Sequence, residues 1–355
     1  MPVRLRGQAK PVTIDQVAER SGVSKTTVSR YLNGRYDALS EETRMRIREV
    51  IKELNYRPNR IAQSLKARNS RMLGCLVSDI GSPFSALIVK GINSVCEQAG
   101  YQLLLMDSGD DPQRERMGIQ ELLENQVDGL IVNTTGENDS YLLSLHEQGV
   151  PLVLADRCLS KSGKLDTVTT ENYHSTYNCI SLLHEYGYQR VGFFTQGNAH
   201  VTPRLLRFQG YQDALQQLFG QQGEAFSFDL EDEADCLRVL HDFCNRYPGE
   251  RLAAFAVNGM TLLSLLRGVH AAGIPIGEQF GVCGFDAWGW ENLITPGITT
   301  IAQDSKRIGQ RAAEILLERI AGKGAEPPIY EQLTSQLQIR GSTIKAVGND
   351  GCCNQ

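Results

Sequence analysis

The chain has 355 residues, 41% hydrophobic and 22% charged, with a formal net charge of -5. That balance suits a globular protein of two or three domains and excludes a disordered tail or a coiled coil. No window approaches the roughly 18 to 20 apolar residues of a spanning helix, and "MPVRLRGQAKPV" carries basic residues without the apolar core of a signal peptide. The expected compartment is the cytoplasm, with no membrane partner. Nine cysteines, an odd number without a CxxC pair, predict neither a disulfide framework nor a zinc site, and no metal or cofactor is expected.

The net charge hides an asymmetry. Residues 1–70 hold 15 Lys/Arg against 7 Asp/Glu, leaving 21 basic and 34 acidic residues beyond them. A basic piece attached to an acidic one is the electrostatic footprint of a phosphate-backbone binder.

In chain order, "TIDQVAER" opens with Thr13 and places Gln16 three residues later, a capping box ahead of the apolar face Ile14, Val17 and Ala18. Gly22 supplies a tight turn, Ser24 can cap a second helix with Val28 and Leu32 inward, and Asn33-Gly34 ends it. A third helix runs from the cap Ser40 with the face Ile47, Val50, Ile51 and Leu54. Two helices joined by a Gly-containing turn, the second short and polar outside, describe a helix-turn-helix whose second helix enters the major groove. Lys25, Thr26, Ser29, Arg30 and Asn33 then face base edges and phosphates; the alternative is a generic three-helix bundle with a solvated face.

Pro58 forces Arg57 towards an extended conformation, and Asn59 can cap a helix reaching about Arg68. So short a helix falls below the roughly 12 to 15 residues that an isolated helix needs in water, so it should fold only against a partner. Ile61, Ala62 and Leu65 among Arg60, Gln63 and Lys66 suit a helix that pairs with its own copy and wedges Leu65 between base steps; a solvated linker is the equal alternative.

"VTIDQVAERSGVSKTTVSRYLNG", "SEETRMRIREVIKELNYRPNRIAQSL" and "MLGCLVSDIGSPF" resemble the lactose/galactose repressor family over residues 12–343. The resemblance implies a homodimeric transcription regulator of double-stranded operator DNA. Its helix-turn-helix domain would span 1–58 and its hinge helix 59–70, ahead of a two-lobed sugar-binding core. Motif matching puts Lys25 and Thr26 on the variable base-reading pair, Ser29, Arg30 and Asn33 on further DNA contacts, and Leu65 on the intercalating hinge leucine. Thr13, Ser24, Asn59, Arg60 and Ala62 complete the implied DNA-facing set.

From Met72 apolar strands alternate with amphipathic helices: "MLGCLVS", "YQLLLMDS", "VDGLIVNT", "VPLVLAD", "RVGFFTQ", "LAAFAVN", "FGVCGFD" and "ITTIAQD". Continuous apolar runs separated by helices predict parallel sheets covered on both faces, a doubly wound α/β core. The pattern occurs twice. With the resemblance to periplasmic sugar-binding proteins, it gives a first lobe of 71–168 and 297–331, a second of 169–296 and 332–343, and a frayed tail of 344–355. "ITTIAQD" and its following helix are assigned to the first lobe by the resemblance.

Ligands of such sheets bind beyond the carboxyl ends of strands. The polar residues there are Asp79, Asp107, Asn133, Asp156, Asn258 and Asp286, with Arg204 and Arg207 placed just before a helix; each singly has a turn or capping explanation. The resemblance selects Ser82, Pro83, Phe84, Asp156, Arg207, Asn258 and Asp286 as effector contacts, with Arg207 gripping a carboxylate bidentately. Where the family has Asn-Asp, this chain has Asn258-Gly259, and the lost carboxylate favours an anionic ligand. "GFDAWGWENLITPGITTIAQDSKRIG" resembles the branch that answers sugar acids such as ketogluconate or ketodeoxygluconate. Trp288 and Trp290 either wall the pocket or belong to the core.

An α/β enzyme of sugar or nucleotide metabolism is disfavoured by the lack of GxGxxG after the first strand, a P-loop, GxSxG or HExxH, and by six isolated histidines. A transport protein would need export. Whether the effector releases the operator or acts as a corepressor stays open at this level.

Overall fold

The computed structural model describes residues 12–32, 34–56, 69–160, 163–197, 201–286, 288–322 and 327–344. The chain divides into two compact units at Ser70 and Arg71.

The first unit holds α1 (Ile14–Ser21), α2 (Lys25–Leu32) and α3 (Glu41–Glu53). The capping box at Thr13 and Gln16 is formed in both directions, and α1 ends at Gly22 in the left-handed conformation. Ser24 accepts from the Thr27 amide at 3.1 Å, which starts α2, and Ser40 accepts from Thr43 at 3.2 Å, which starts α3. These local bonds fix where each helix begins. Val17, Ala18, Val28, Ile47 and Val50 then close one small core.

The second unit contains two six-stranded sheets, which form two lobes. The first lobe begins with β1 (Met72–Val77), α4 (Pro83–Ala99), β2 (Gln102–Asp107), α5 (Pro112–Glu124), β3 (Gly129–Val132), α6 (Asp139–Glu147), β4 (Leu152–Ala155) and β5 (Asp166–Thr170). The chain then enters the second lobe through α7 (Asn172–Glu185), β6 (Arg190–Thr195), α8 (Thr202–Ala214), β7 (Ala225–Ser227) and α9 (Glu233–Arg246). That lobe continues with β8 (Leu252–Ala256), α10 (Gly259–Ala271), β9 (Phe280–Phe285) and β10 (Thr299–Ala302). The remaining elements are α11 (Ser305–Ile320), β11 (Tyr330–Leu333) and β12 (Gln336–Gln338).

Strand order is β2-β1-β3-β4-β5-β11 in one sheet and β7-β6-β8-β9-β10-β12 in the other, the same winding twice. All neighbours are parallel except β10 and β12. Each central strand is covered on both faces, which is why its sequence reads as one apolar run.

The assignment of "ITTIAQD" and its helix to one lobe needs correction. Strand β10 pairs with β9, Thr299 opposite Cys283, and belongs to the second lobe, whereas α11 packs on the first. A backbone ladder decides the strand and an apolar face decides the helix. The anchor is steric: a Cβ at Gly91 of α4 would lie 2.1 Å from the Lys306 carbonyl oxygen, and one at Gly309 of α11 would lie 2.0 Å from that of Ile88. The two helices touch backbone to backbone. The lobe boundary at 168/169 also falls inside β5, and that at 331/332 inside β11; the crossings lie after Thr170 and after Leu333. Among the described residues no helix is long and apolar enough to cross a membrane.

Candidate functional site

On the first unit, Lys25, Thr26 and Arg30 are exposed on α2, and Ser29 is half-buried. Lys25 pairs with Asp15 across 2.9 Å, both side chains more than half exposed, so the pair holds little energy and leaves the ammonium available to another anion. Thr13 and Ser24 are engaged in starting their helices. Asn33, Asn59, Arg60, Ala62 and Leu65 lie outside the described residues.

On the second unit, a cleft between the two sheets' carboxyl ends opens to solvent. It is lined by Ser82, Phe84, Asp156, Arg207, Asn258, Asp286 and Trp288 together, from both lobes. Asp79, Asn133 and Arg204 also line it. Asp107 does not: its Oδ1 accepts from the Ile80 amide at 3.1 Å and closes a loop.

Asp156 and Asp286 occupy equivalent places, each the first residue after a strand and each with a left-handed φ, 70° and 77°. Their backbone amides donate to Val168 and Ile301 of the neighbouring strands, so the turn aims both carboxylates into the cleft. Burial raises both carboxyl pKa values, against the opposing pull of Arg207. Asp286 is well supplied with donors: Gln303 Nε2 at 2.5 Å and the Gly259 amide at 2.9 Å. Asp156 is not. Its Oδ2 accepts from Asn133 at 3.3 Å, but Oδ1 is buried with no partner among the described residues.

Arg204 and Arg207 sit within α8, not before it; Pro203 in the first turn starts the helix at Thr202. Arg207 donates from Nε to Asn172 Oδ1 at 2.7 Å, from Nη1 to the Val257 carbonyl at 2.6 Å and from Nη2 to Gln303 Oε1 at 3.1 Å. Its guanidinium lies 3.5 Å over the Phe285 ring. Burial lowers its pKa to about 10, which still leaves it charged at neutral pH. Three of its five N–H groups are thus occupied, and a bidentate grip would have to use the other two. At the first-lobe side Arg157 pairs with Asp110 at 2.5 Å and donates to the Thr134 carbonyl at 3.1 Å.

The two tryptophans separate. Trp288 lines the cleft, while Trp290 packs against the second-lobe core. Asp110, Arg157, Asn172, Gln196 and Gln303 escaped the reading of the sequence. Gln303 follows strand β10 and meets the same strand-end criterion that selected Asp286, but β10 had been placed in the other lobe. Arg157 directly follows Asp156, and nothing in its spacing marks it.

Residues 13–59 match the family described as bacterial regulatory proteins, lacI family, and residues 180–343 match a periplasmic binding protein-like domain. The HTH-type transcriptional regulator KdgR of Bacillus subtilis (strain 168) is 39% identical over 321 residues, 90% of this chain and 94% of that protein. The HTH-type transcriptional regulator PtxS of Pseudomonas plecoglossicida is 35% identical over 332 residues, 94% and 96% of the two chains. The crystal structure of the lac repressor dimer bound to operator and the anti-inducer ONPF superposes with a TM-score of 0.82 at 25% identity, covering 94% of this chain and all of that one. With its helix-turn-helix head and its twice-wound core, the chain belongs to the lacI family of bacterial regulatory proteins and is a DNA-binding transcriptional regulator, not an enzyme.

Proposed function

We propose that this regulator binds a pseudo-palindromic operator as a homodimer in the cytoplasm and is released by a sugar acid held between its lobes. The observation that carries the effector reading is the orphaned Oδ1 of Asp156, buried in the cleft beside Arg207. A desolvated carboxylate oxygen without a donor is costly, and a ligand hydroxyl placed there removes the cost. Asp156 and Asp286 accept from hydroxyls, Asn258 offers an amide, and Arg207 with Phe84 and Ser82 completes a cleft suited to a small polyol bearing one negative charge. The lac repressor dimer on its operator supports the assembly.

Sugar-acid binding between the lobes lowers the affinity of the head for its operator. The coupling required is about 1 to 3 kcal/mol, a change of some 5- to 150-fold, and linkage makes the operator weaken the sugar acid by the same factor. Calorimetric titration of 2-ketogluconate and ketodeoxygluconate into the full chain, with and without operator duplex, tests this. Weaker sugar-acid binding on DNA is expected. Tighter binding on DNA would reverse the sign to corepression, and no binding of either acid would refute the effector class.

A further inference from the structure

We infer that Gly259 and Trp288 form one specificity element: the missing side chain at 259 seats the indole as a wall of the cleft, and that wall selects a ligand presenting a hydroxyl-poor carbon face there. This deepens the sugar-acid reading above and rests on it.

Gly259 is the first residue of α10, immediately after the cap Asn258. Its backbone does not explain the glycine, because it is not among the residues of positive φ. Space does. A Cβ built at 259 would meet three atoms of the Trp288 ring, Cη2 at 2.4 Å, Cζ2 at 2.7 Å and Cζ3 at 2.9 Å. Such approaches are far inside van der Waals contact, so any side chain at 259 and the indole cannot occupy these positions together.

The indole is held from its other end as well. The buried Glu291 carboxylate accepts from the Trp288 amide at 3.1 Å and from the Gly289 amide at 2.8 Å, and its second oxygen lies 3.5 Å from Arg340. The backbone of Trp288 is thus fixed, and a Cβ at 259 would be accommodated by swinging the ring. The Gly259 amide meanwhile donates to Asp286 Oδ2. One residue therefore supplies a backbone donor to an effector-facing carboxylate and vacant volume to the neighbouring ring.

The chemical consequence is directional. An aromatic face accepts C–H contacts well and hydroxyl hydrogen bonds poorly, and glycine offers no side-chain acceptor beside it. A hydroxyl pointed at this wall would be desolvated without a partner, whereas a hydroxyl pointed at Asp156 would find one. The cleft thus has a polar side and a flat apolar side, and the ligand's orientation follows.

The chain contains two tryptophans, and because Trp290 lies against the core and emits in every variant, the Trp288 signal is the difference between wild type and Trp288→Leu. The full-length protein is titrated with 2-ketogluconate and ketodeoxygluconate while emission and thermal stability are followed together, in wild type, Gly259→Ala, Trp288→Leu and the double variant. The acid that stabilises wild type should shift its emission, with no shift in Trp288→Leu. Gly259→Ala should weaken that acid about tenfold in the wild-type background, the worth of a good aromatic contact, and less than about threefold once Trp288 is leucine. Without any ligand, acrylamide should quench the indole of Gly259→Ala more readily than that of wild type. Equal quenching, or equal cost of Gly259→Ala in both backgrounds, overturns the pairing while the cleft still binds. If neither acid changes the stability of wild type, the sugar-acid reading falls and this inference with it.

Discussion

Replacing Asp156 with Asn should stabilise the ligand-free core while weakening the effector, and the gain should fade in acid. The carboxyl pKa is raised, with burial as its largest cause, opposed by Arg207, Arg157 and the Asn133 hydrogen bond. A carboxyl group whose folded pKa exceeds its unfolded value favours folding while protonated, and that contribution is lost as pH rises through the folded pKa. Above its folded pKa the wild-type carboxylate is therefore a net cost, concentrated on the Oδ1 that has no donor. Asparagine is nearly isosteric, tolerates the left-handed φ of 70° and carries no charge to desolvate. Only the charge is relieved, because an asparagine whose oxygen accepts from Asn133 puts its NH2 at the partnerless position, so the expected gain is about 1 kcal/mol, the low end for an uncompensated buried group. In a core of this size each kcal/mol moves Tm by roughly 2 to 4 °C. Calorimetric melting of wild type and variant from pH 7 downwards reads this directly: the variant should melt higher at neutral pH, and the difference should shrink as the wild-type carboxyl takes up its proton. A variant that melts lower at pH 7, or an advantage independent of pH, would refute the argument. The same variant should bind sugar acids more weakly, since it presents one acceptor fewer.

Arg30→Ala should cost about 1 to 3 kcal/mol of operator affinity if the side chain reads a base, or lower the salt slope by about one if it meets a phosphate; filter binding across a salt series separates the two. Thr13→Ala removes a fully formed capping box and should lower head stability by about 1 kcal/mol in a thermal melt, with a smaller effect on Thr13→Ser. Gly309→Ala sets a Cβ against the Ile88 carbonyl, where neither helix backbone can yield cheaply, so a loss at or above the usual overpacking range of about 1 to 3 kcal/mol is expected in denaturant unfolding.

Legibility in the sequence followed the range of the interaction that decides each feature. The caps Thr13, Ser24 and Ser40 bond within three residues, so the three-helix head could be read directly. Seven of the eight apolar runs became strands buried along nearly their whole length, because burial on both faces leaves its mark on almost every residue, and the eighth, β2, is a half-exposed edge strand. "DTVTT" of β5 is buried throughout yet mostly polar, and the short edge strands β7, β11 and β12 are partly exposed, so none reads as an apolar run and only pairing makes them strands. The same non-local pairing moved β10 to the second lobe. Strand-end polarity found Asp156 and Asp286 but equally picked Asp107, because a carboxylate closing its own loop and one aimed at a ligand look alike in sequence. Asn172 became visible only as the partner that holds Arg207 from another helix.

The helix α11, which follows a strand of one lobe and packs on the other, also sets an order of events during synthesis. Ile308, Ala312, Ala313, Ile315 and Leu316 are integral to the first-lobe core, and β11 completes its sheet beside β5. The ribosome delivers β1 to β5 first and then most of the second lobe before these pieces emerge. At about 5 to 20 residues per second the nascent first lobe waits on the order of 10 to 30 s with an apolar face uncovered and the outer edge of β5 unpaired. The second lobe, whose strands β6 to β10 arrive in one stretch, can close most of its sheet in that interval. Translation therefore matures the two halves in the reverse of their order in the gene, and the earlier half is the one exposed to chaperones and to aggregation.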